Sequence, residues 1–461
     1  MDEETLFRKA PIGKALANMI LPTIISQVIS VIYNMADTWY VGLTGSADAV
    51  AAVSLCLSVY SMLSAISNLF GIGGAAVLAR ALGVHHGRQA RGAMAFSLAG
   101  ALGGAALYSL LIAVLGRPIL LLIGADSGTL DYAWDYVRWT IVAGGIPTIL
   151  SPVCAHLLRS MGRPRTASLG MMLGAGLNIL LDPLWMFVLL PAGQEVKGAA
   201  IATALSNLAA LVFFVFFLHN AARKTFSNMP ASPFKPRGRQ VLEIMEDGIP
   251  GFCMVALSMV SNCVLNSMIS TLGSAAVAGI GIVRKIDQLA YAVNQGITQG
   301  MLPLAAYCWS AGLHRRMWKA VKLSALCSEG FSLVCSAISL LFARQLVTFF
   351  IRDEATIHYG AEFLRVLCLA IPIYTLTFVI IALFQGVGRG VEPLILSILH
   401  KGSLDIVLLF LIRPTLGVER LVWAAPISET VALAVGAWML LAFRRSTKQV
   451  DLSHTEKETK G

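Results

Sequence analysis

The sequence predicts an all-α polytopic membrane protein, with twelve transmembrane helices in two pseudo-symmetric six-helix lobes. Three observations carry that expectation: twelve apolar runs of spanning length, a lopsided distribution of basic residues between alternate loops, and a repeat relating the two halves of the chain. Composition sets the class. Of 461 residues, 57% are hydrophobic and 13% are charged, and mean hydropathy is +0.74. A typical soluble domain carries about 25% charged residues. A soluble chain this apolar could not cover its surface, whereas lipid covers a membrane protein. Disorder, collagen and a disulfide-stapled secreted module are excluded on the same figures.

A bilayer core of about 30 Å needs roughly 20 apolar residues as helix. Taken in order, such runs lie at 15–42, 50–79, 92–115, 132–158, 166–190 and 197–220 in the first half. In the second half they lie at 243–271, 276–308, 320–343, 358–386, 393–412 and 419–443. Strands are disfavoured, because the runs are too long and do not alternate.

Loop charge tests the count. The segments on one side of this alternation hold 23 Lys and Arg; the opposite loops hold six, namely Arg117, Lys197, Arg344, Arg352, Arg413 and Arg420. That bias predicts a multi-pass protein of the cell membrane with both termini cytoplasmic, since basic loops stay inside. A missed span would scramble the alternation. The N-terminus is acidic and lacks a small-residue cleavage site, so no signal peptide is expected. Residues 1–14 read as a cytoplasmic segment, 15–220 as an N-lobe, 221–240 as a basic linker with Pro230, Pro233 and Pro236, 241–445 as a C-lobe, and 446–461 as a polar tail.

The halves match. Pro22 corresponds to Pro250, and Gly45-Ser46 to Gly273-Ser274, both at an offset of 228. Ala81-Leu-Gly83 with His85 resembles Ala311-Gly312 with His314. Pro147 pairs with Pro372, and Gly162-Arg163 with Gly388-Arg389. A shared order of punctuation points to duplication. An even number of spans per unit gives parallel repeats about an axis along the membrane normal, with a substrate path between lobes.

Ionisable groups near the bilayer centre cost roughly 2.5–3.5 kcal/mol on insertion scales, so each needs a reason. Asp37 lies late in span one and Asp182 late in span five. Each sits roughly 9–12 Å below the outer end of its span by helical rise. Asn178 shares a face with Asp182, and Tyr33 shares one with Asp37. Asn34 stands three residues before Asp37. Two carboxylates in a low-dielectric cavity raise each other's proton affinity, the chemistry of a proton carrier. With oxygens from Asn178 or Thr203 the same pair can hold Na⁺. The plainer alternative is that each Asp ties neighbouring helices by hydrogen bonds.

The C-lobe charges look different. Arg284, Lys285 and Asp287 sit together, Lys401 and Asp405 are spaced i, i+4, and Arg365 lies in span ten. Local ion pairing is the favoured reading. Glu429 has no obvious local partner and is a secondary candidate for cation contact.

Other motifs are weaker. Gly71-Ile-Gly-Gly-Ala-Ala76 loosely fits a dinucleotide fingerprint, but it lies inside an apolar span with no strand before it and reads as close helix packing. No P-loop, Ser-His-Asp or HExxH pattern is present, which argues against an ATP-driven pump and against an enzyme. His85-His86 has no metal-ligand spacing elsewhere. All eight cysteines lie in apolar runs and read as small core residues. Pro22, Pro147, Pro183 and Pro250 are candidate kinks.

Three stretches now take on meaning together: Asn34-Met-Ala-Asp37-Thr-Trp-Tyr-Val-Gly42, Leu158-Arg159-Ser-Met-Gly162-Arg-Pro164 and Leu177-Asn178-Ile-Leu-Leu-Asp182-Pro183. They resemble signatures of the multidrug and toxic compound extrusion (MATE) transporters, and Phe384-Gln385-Gly-Val-Gly388-Arg389 resembles the matching C-lobe signature. The resemblance runs from about residue 15 to 445 and is nearest the DinF-like prokaryotic branch. It implies a V-shaped pair of six-helix bundles exporting organic cations against inward Na⁺ or H⁺. The implied coupling site is an N-lobe cavity on Asp37 and Asp182, with Asn178, Tyr33 and Thr203 around them and Pro22 as the associated bend in span one. A Na⁺ ion there would rest on Asp37, Asp182 and Asn178. The sequence departs from the NorM-like branch in having no acid in span seven, where Asn262 and Asn266 stand instead. It also carries Cys154-Ala155-His156 where members often have Asn.

The expected function is therefore secondary active antiport of organic cations by alternating access, with no cofactor beyond the coupling ion. The expected partners are small organic cations and membrane lipid, without nucleic acid, and the chain is expected to act as a monomer. A flippase for lipid-linked or amphipathic cargo is the rival within transport. Cationic lining of the cavity favours that rival, and carboxylate lining favours cation export.

Overall fold

The structure, a computed structural model, describes residues 4–191, 193–227 and 238–458. Among these the chain is helical throughout, without strands. After a helical turn at Thr5–Lys9 come α1 (Ile12–Gly42), α2 (Ala47–Gly83), α3 (Gly87–Leu122), α4 (Leu130–Val137), α5 (Gly145–Ser160), α6 (Pro164–Pro183) and α7 (Glu195–Phe226). The second half holds α8 (Gly238–Ile269), α9 (Ser274–Ser310), α10 (His314–Leu341), α11 (Ala343–Thr348), α12 (Glu354–Leu367), α13 (Ala370–Val387), α14 (Val391–Lys401), α15 (Ser403–Leu416) and α16 (Ala424–Glu458).

Ten of these helices are long and apolar enough to cross a bilayer, and the pair Leu130–Ala143 and Gly145–Ser160, bent by 52°, makes an eleventh crossing. The twelfth rod is α9. It is 37 residues long but interrupts its apolar pattern with Arg284, Lys285, Asp287, Asn294, Gln295 and Gln299. A helix this polar belongs in a protein interior, and its second half is almost entirely buried. Lipid-type exposure falls elsewhere, on Leu107, Leu110 and Val114 of α3, Val212 and Phe216 of α7 and Trp438 of α16.

The repeat reappears in backbone geometry. Left-handed residues end equivalent helices at Gly45 and Gly273, Gly162 and Gly388, and Gly193 and Gly417. His85 (φ 55°) and Gly312 (φ 71°) form a further pair, so the register after α2 and α9 is two residues from the one suggested by the Ala-Gly match. Equivalent extramembrane loops close alike. Asp126 accepts the Thr129 backbone N–H (2.9 Å) and hydroxyl (2.8 Å); Asp353 accepts the same two donors of Thr356 at 2.9 and 2.7 Å. These bonds favour the ionised form and hold both carboxyls below their ordinary range.

The candidate kinks divide. Pro147 and Pro372 each sit in the first turn after an interruption, where a missing N–H is tolerated. Pro183 ends α6. Pro22 and Pro250 lie inside continuous helices. The prolines of the 221–240 linker lie outside the described residues.

The N-terminal segment is tied down. Leu6 and Phe7 are buried, and Phe7 packs on Tyr307 of α9 with ring centroids 5.1 Å apart. Arg316 donates to the Phe7 carbonyl at 2.7 Å, so the chain start crosses onto the C-lobe. The cysteine expectation needs correction. Cys56, Cys154, Cys308 and Cys368 are buried, but Cys263 and Cys327 are exposed. An apolar run says nothing about which face of a helix meets lipid.

The lobes meet through α2 on α8 and α1 on α9. The contact is tight on the face that carries both chain ends, called the terminal face below. A Cβ at Gly73 would strike the Ile244 carbonyl oxygen, and one at Gly248 the Leu69 carbonyl oxygen. Across the other seam, a Cβ at Gly296 would lie 2.6 Å from the Ile24 Cα, and one at Gly300 would lie 2.9 Å from the Ile20 Cα. Small residues let backbones touch where lipid gives no drive to associate. Towards the opposite face the same helices expose Ile32, Met35, Trp39, Leu57 and Val260. The closest inter-lobe packing therefore lies towards the terminal face, and apolar side chains of the same helices stand exposed towards the other.

Candidate functional site

Asp37, Asp182, Asn178 and Thr203 come together inside the N-lobe, brought there by α1, α6 and α7. Asn178 and Asp182, one turn apart, share the inward face of α6. The Asn178 amide donates to Asp182 Oδ1 (3.2 Å) and to the Thr203 hydroxyl (3.2 Å). Asp182 and Asn178 are at most 1% exposed, and Asp37 is 8% exposed. Asp37 is an electrostatic neighbour of Asp182, and the polar cluster the four residues form is called the chamber below.

Among the described residues, three oxygens here lack partners: Asp37 Oδ1, Asp182 Oδ2 and Asn178 Oδ1. Among the described residues neither carboxylate makes an ion pair. Buried acceptors are normally satisfied. Three hard oxygens left bare, two of them on carboxylates, make a donor set suited to Na⁺ or to protons.

Tyr33 stands beside Asp37, with its hydroxyl facing Tyr60. Tyr60 in turn faces Thr148 and Asn207, whose side chains bond at 2.9 Å. Tyr136 of α4 completes the wall near Asp37. Tyr60 and Tyr136 escaped sequence reasoning. The available signal was a phenol inside an apolar span at a depth similar to the aspartates. Asn34, by contrast, is exposed and donates to the Ser30 carbonyl. Pro22 lies eleven residues before Tyr33, about three turns from the chamber.

The C-lobe candidates do not form a matching chamber. Asn266 accepts from Arg284 at 3.0 Å, while Asn262 is exposed. Asp405 accepts from Ser261 of α8. Asp287 accepts from Tyr374 at 3.0 Å. Glu429, without a local partner in sequence, contacts His400 of α14, and both are at most 2% exposed. These partners come from other helices, a pattern that spacing along one helix does not reveal. The Lys401 side chain lies outside the described residues. Arg365 is exposed on α12.

A second feature lies between the lobes near the terminal face. A narrow crevice is lined by His156 and Arg159 of α5, Gln295 and Gln299 of α9, Gln385 of α13 and apolar side chains including Phe378. Below it, Arg80 of α2 meets Asp247 of α8 at 2.6 Å and donates to the Gln385 and Gly386 carbonyls at 3.1 and 3.2 Å.

The MatE family pattern matches residues 22–184 and again 250–411, the two repeats. The multidrug export protein MepA of Staphylococcus haemolyticus (strain JCSC1435) is 29% identical over 451 residues, 96% of this chain and 97% of that protein. MepA of Staphylococcus aureus (strain NCTC 8325 / PS 47) is 28% identical, covering 98% of this chain and 99% of its own. A solved structure described as the outward-facing conformation of a multidrug resistance MATE family transporter of the MOP superfamily superposes with a TM-score of 0.87 at 25% identity. It covers 96% of this chain and 98% of its own.

Proposed function

The chain belongs to the MatE family, and we propose from that membership that it is a secondary active antiporter exporting organic cations from the cytoplasm in exchange for H⁺ or Na⁺. The relatives named as multidrug export proteins support the export of small molecules. The observation that carries the coupling step is the buried carboxylate pair Asp37 and Asp182, left without a cationic side chain and with bare oxygens.

Two sealed carboxylates are stable only when a proton or metal cation balances them. A cation arriving from the face opposite the chain ends binds here and changes the balance between the two lobe arrangements. Release to the cytoplasm follows when the terminal-face contacts part. Organic cation then loads from the cytoplasm, and the cycle reverses. The lobes 15–220 and 241–445 move as the two halves, with 221–240 as the tether. Both termini lie in the cytoplasm of a cell-membrane protein, and the chain works as a monomer.

A second reading, transfer of lipid-linked or amphipathic metabolites, draws on Arg159, the cationic side chain lining the inter-lobe crevice.

The test is efflux of a fluorescent organic cation from proteoliposomes under an imposed pH gradient alone or Na⁺ gradient alone. Wild-type protein accumulates the dye uphill under at least one of them. Asp37→Asn and Asp182→Asn, at matched reconstitution, lose at least ten-fold. Full activity in both variants removes the pair from the mechanism.

A further inference from the structure

Arg159 is 2% exposed, and its Nε has no partner. Among the described residues the guanidinium makes no hydrogen bond or ion pair. Other arginines near the terminal face are engaged: Arg80 on Asp247, Arg91 on the Phe226 carbonyl, Arg316 on the Phe7 carbonyl. A buried arginine is ordinarily paired. Arg159 closes the last turn of α5, where the helix C-terminus favours a cation, but a fractional charge offsets only part of the desolvation of a whole one.

The repeat shows that helix-end architecture does not require this charge. Arg159 stands three residues before Gly162, and its C-lobe counterpart, three before Gly388, is Gln385. That neutral amide lines the same crevice and donates to the Asp247 carbonyl at 3.1 Å. Where the C-lobe carries a satisfied amide, the N-lobe carries an unsatisfied cation lining the space between lobes.

We propose that the crevice binds the oxyanion of an amphipathic ligand, a carboxylate or phosphate seated on the Arg159 guanidinium. The planar fork suits either group. Gln295 and Gln299 line the crevice from α9; the Gln295 amide donates to the Tyr291 hydroxyl at 2.9 Å and keeps a second N–H for the oxyanion, and Phe378 offers an apolar surface for the rest of the ligand. The crevice is narrow while α2–α8 and α1–α9 are closed, and Gln299 is bonded to Gln27 across the seam at 3.0 Å. Loading belongs to the arrangement in which the terminal face parts. The inference rests on the transporter reading for that motion alone. It extends the substrate class to zwitterionic and anionic amphiphiles.

The experiment titrates purified full-length protein in a non-ionic detergent by calorimetry with octanoate, with dioctanoyl phosphatidate and with octyltrimethylammonium. Octanoate stands for a solute source of the oxyanion and phosphatidate for a lipid source; the tighter of the two identifies the source. Arg159→Gln is expected to weaken the tighter oxyanion at least ten-fold and to tighten the ammonium probe, because repulsion is removed. Arg159→Lys keeps the charge but loses the fork, and recovers part of the affinity. Removing an unpaired buried charge does not lower the melting temperature, so the Gln variant also checks its own folding. No oxyanion binding to wild type, or a loss below three-fold in Arg159→Gln, overturns the proposal. Cation export by a protein that binds neither oxyanion sinks this inference and leaves the antiport reading standing. Oxyanion binding with no gradient-driven export does the reverse.

Discussion

Arg80 of the N-lobe and Asp247 of the C-lobe join 2.6 Å apart across the seam between α2 and α8, with side chains 15% and 2% exposed. The same guanidinium holds two carbonyls of α13. One cation thus ties three helices and both lobes at the terminal face.

Removing one partner of a buried pair costs about 3–5 kcal/mol, and only the closed arrangement bears that loss. Arg80→Ala is therefore expected to populate the arrangement open at the terminal face. Spin labels at Val84 and Leu242, both exposed, should report a longer distance in the variant. An unchanged distance distribution would show that the pair does not hold the lobes together.

Glycine contacts make a second prediction for the same seam. Gly248→Ala places a methyl against the Leu69 carbonyl, where backbone cannot yield as a side chain can. Overpacking of this kind costs about 1–3 kcal/mol. The matched control is Gly103→Ala in α3, where a Cβ meets nothing within 4 Å. Thermal denaturation in detergent should lower the midpoint for Gly248→Ala and leave Gly103→Ala at or slightly above wild type. Equal midpoints would place the seam elsewhere.

The chamber predicts a split by ion. A metal cation uses every oxygen offered to it, whereas a proton needs only a carboxylate. Asn178→Leu removes an unpartnered oxygen and the amide that spans Asp182 and Thr203. Na⁺-driven efflux should fall at least ten-fold in this variant, with H⁺-driven efflux losing less. The two gradients imposed separately on the same proteoliposomes decide it. Equal losses under both would assign Asn178 to holding the helices rather than to the ion.

His400 and Glu429 predict a double-mutant result. Both are buried in the C-lobe, and the His400 Nε2 has no partner. Glu429→Leu alone strands the imidazole, and His400→Phe alone strands the carboxylate, each leaving a buried polar group unsatisfied at a cost of about 1–3 kcal/mol. The double variant replaces a polar pair with an apolar one beside Phe378, and should recover most of the loss. Additive destabilisation would mean the two do not act as a pair.

Much of the architecture was legible one segment at a time. The cost of exposing backbone to lipid makes each crossing a run of apolar residues, so number, order and helical class are local properties. The exception is instructive: α9 is too polar to pass as a lipid-facing span, yet the run at 276–308 was still visible because its charges are confined to residues 284–287. The carboxylates of the N-lobe stood out for the same local reason, since Asp37 and Asp182 interrupt apolar runs.

Partnership was not legible. Glu429 meets a histidine 29 residues away, Arg80 an aspartate 167 residues away, and Phe7 packs on Tyr307 of the opposite lobe. Arg159 matters because it meets no partner among the described residues, a fact as non-local as any contact. By itself, the sequence determined that the chain is a duplicated bundle of apolar helices with two acids out of place. Only the tertiary structure decided which helix faces turn to lipid, which turn to each other, and which polar atoms are left bare. Hydrophobic patterning fixes that a helix is inserted; the rotation and approach of its neighbours, set by glycines and cross-helix pairs, fix what each inserted side chain sees.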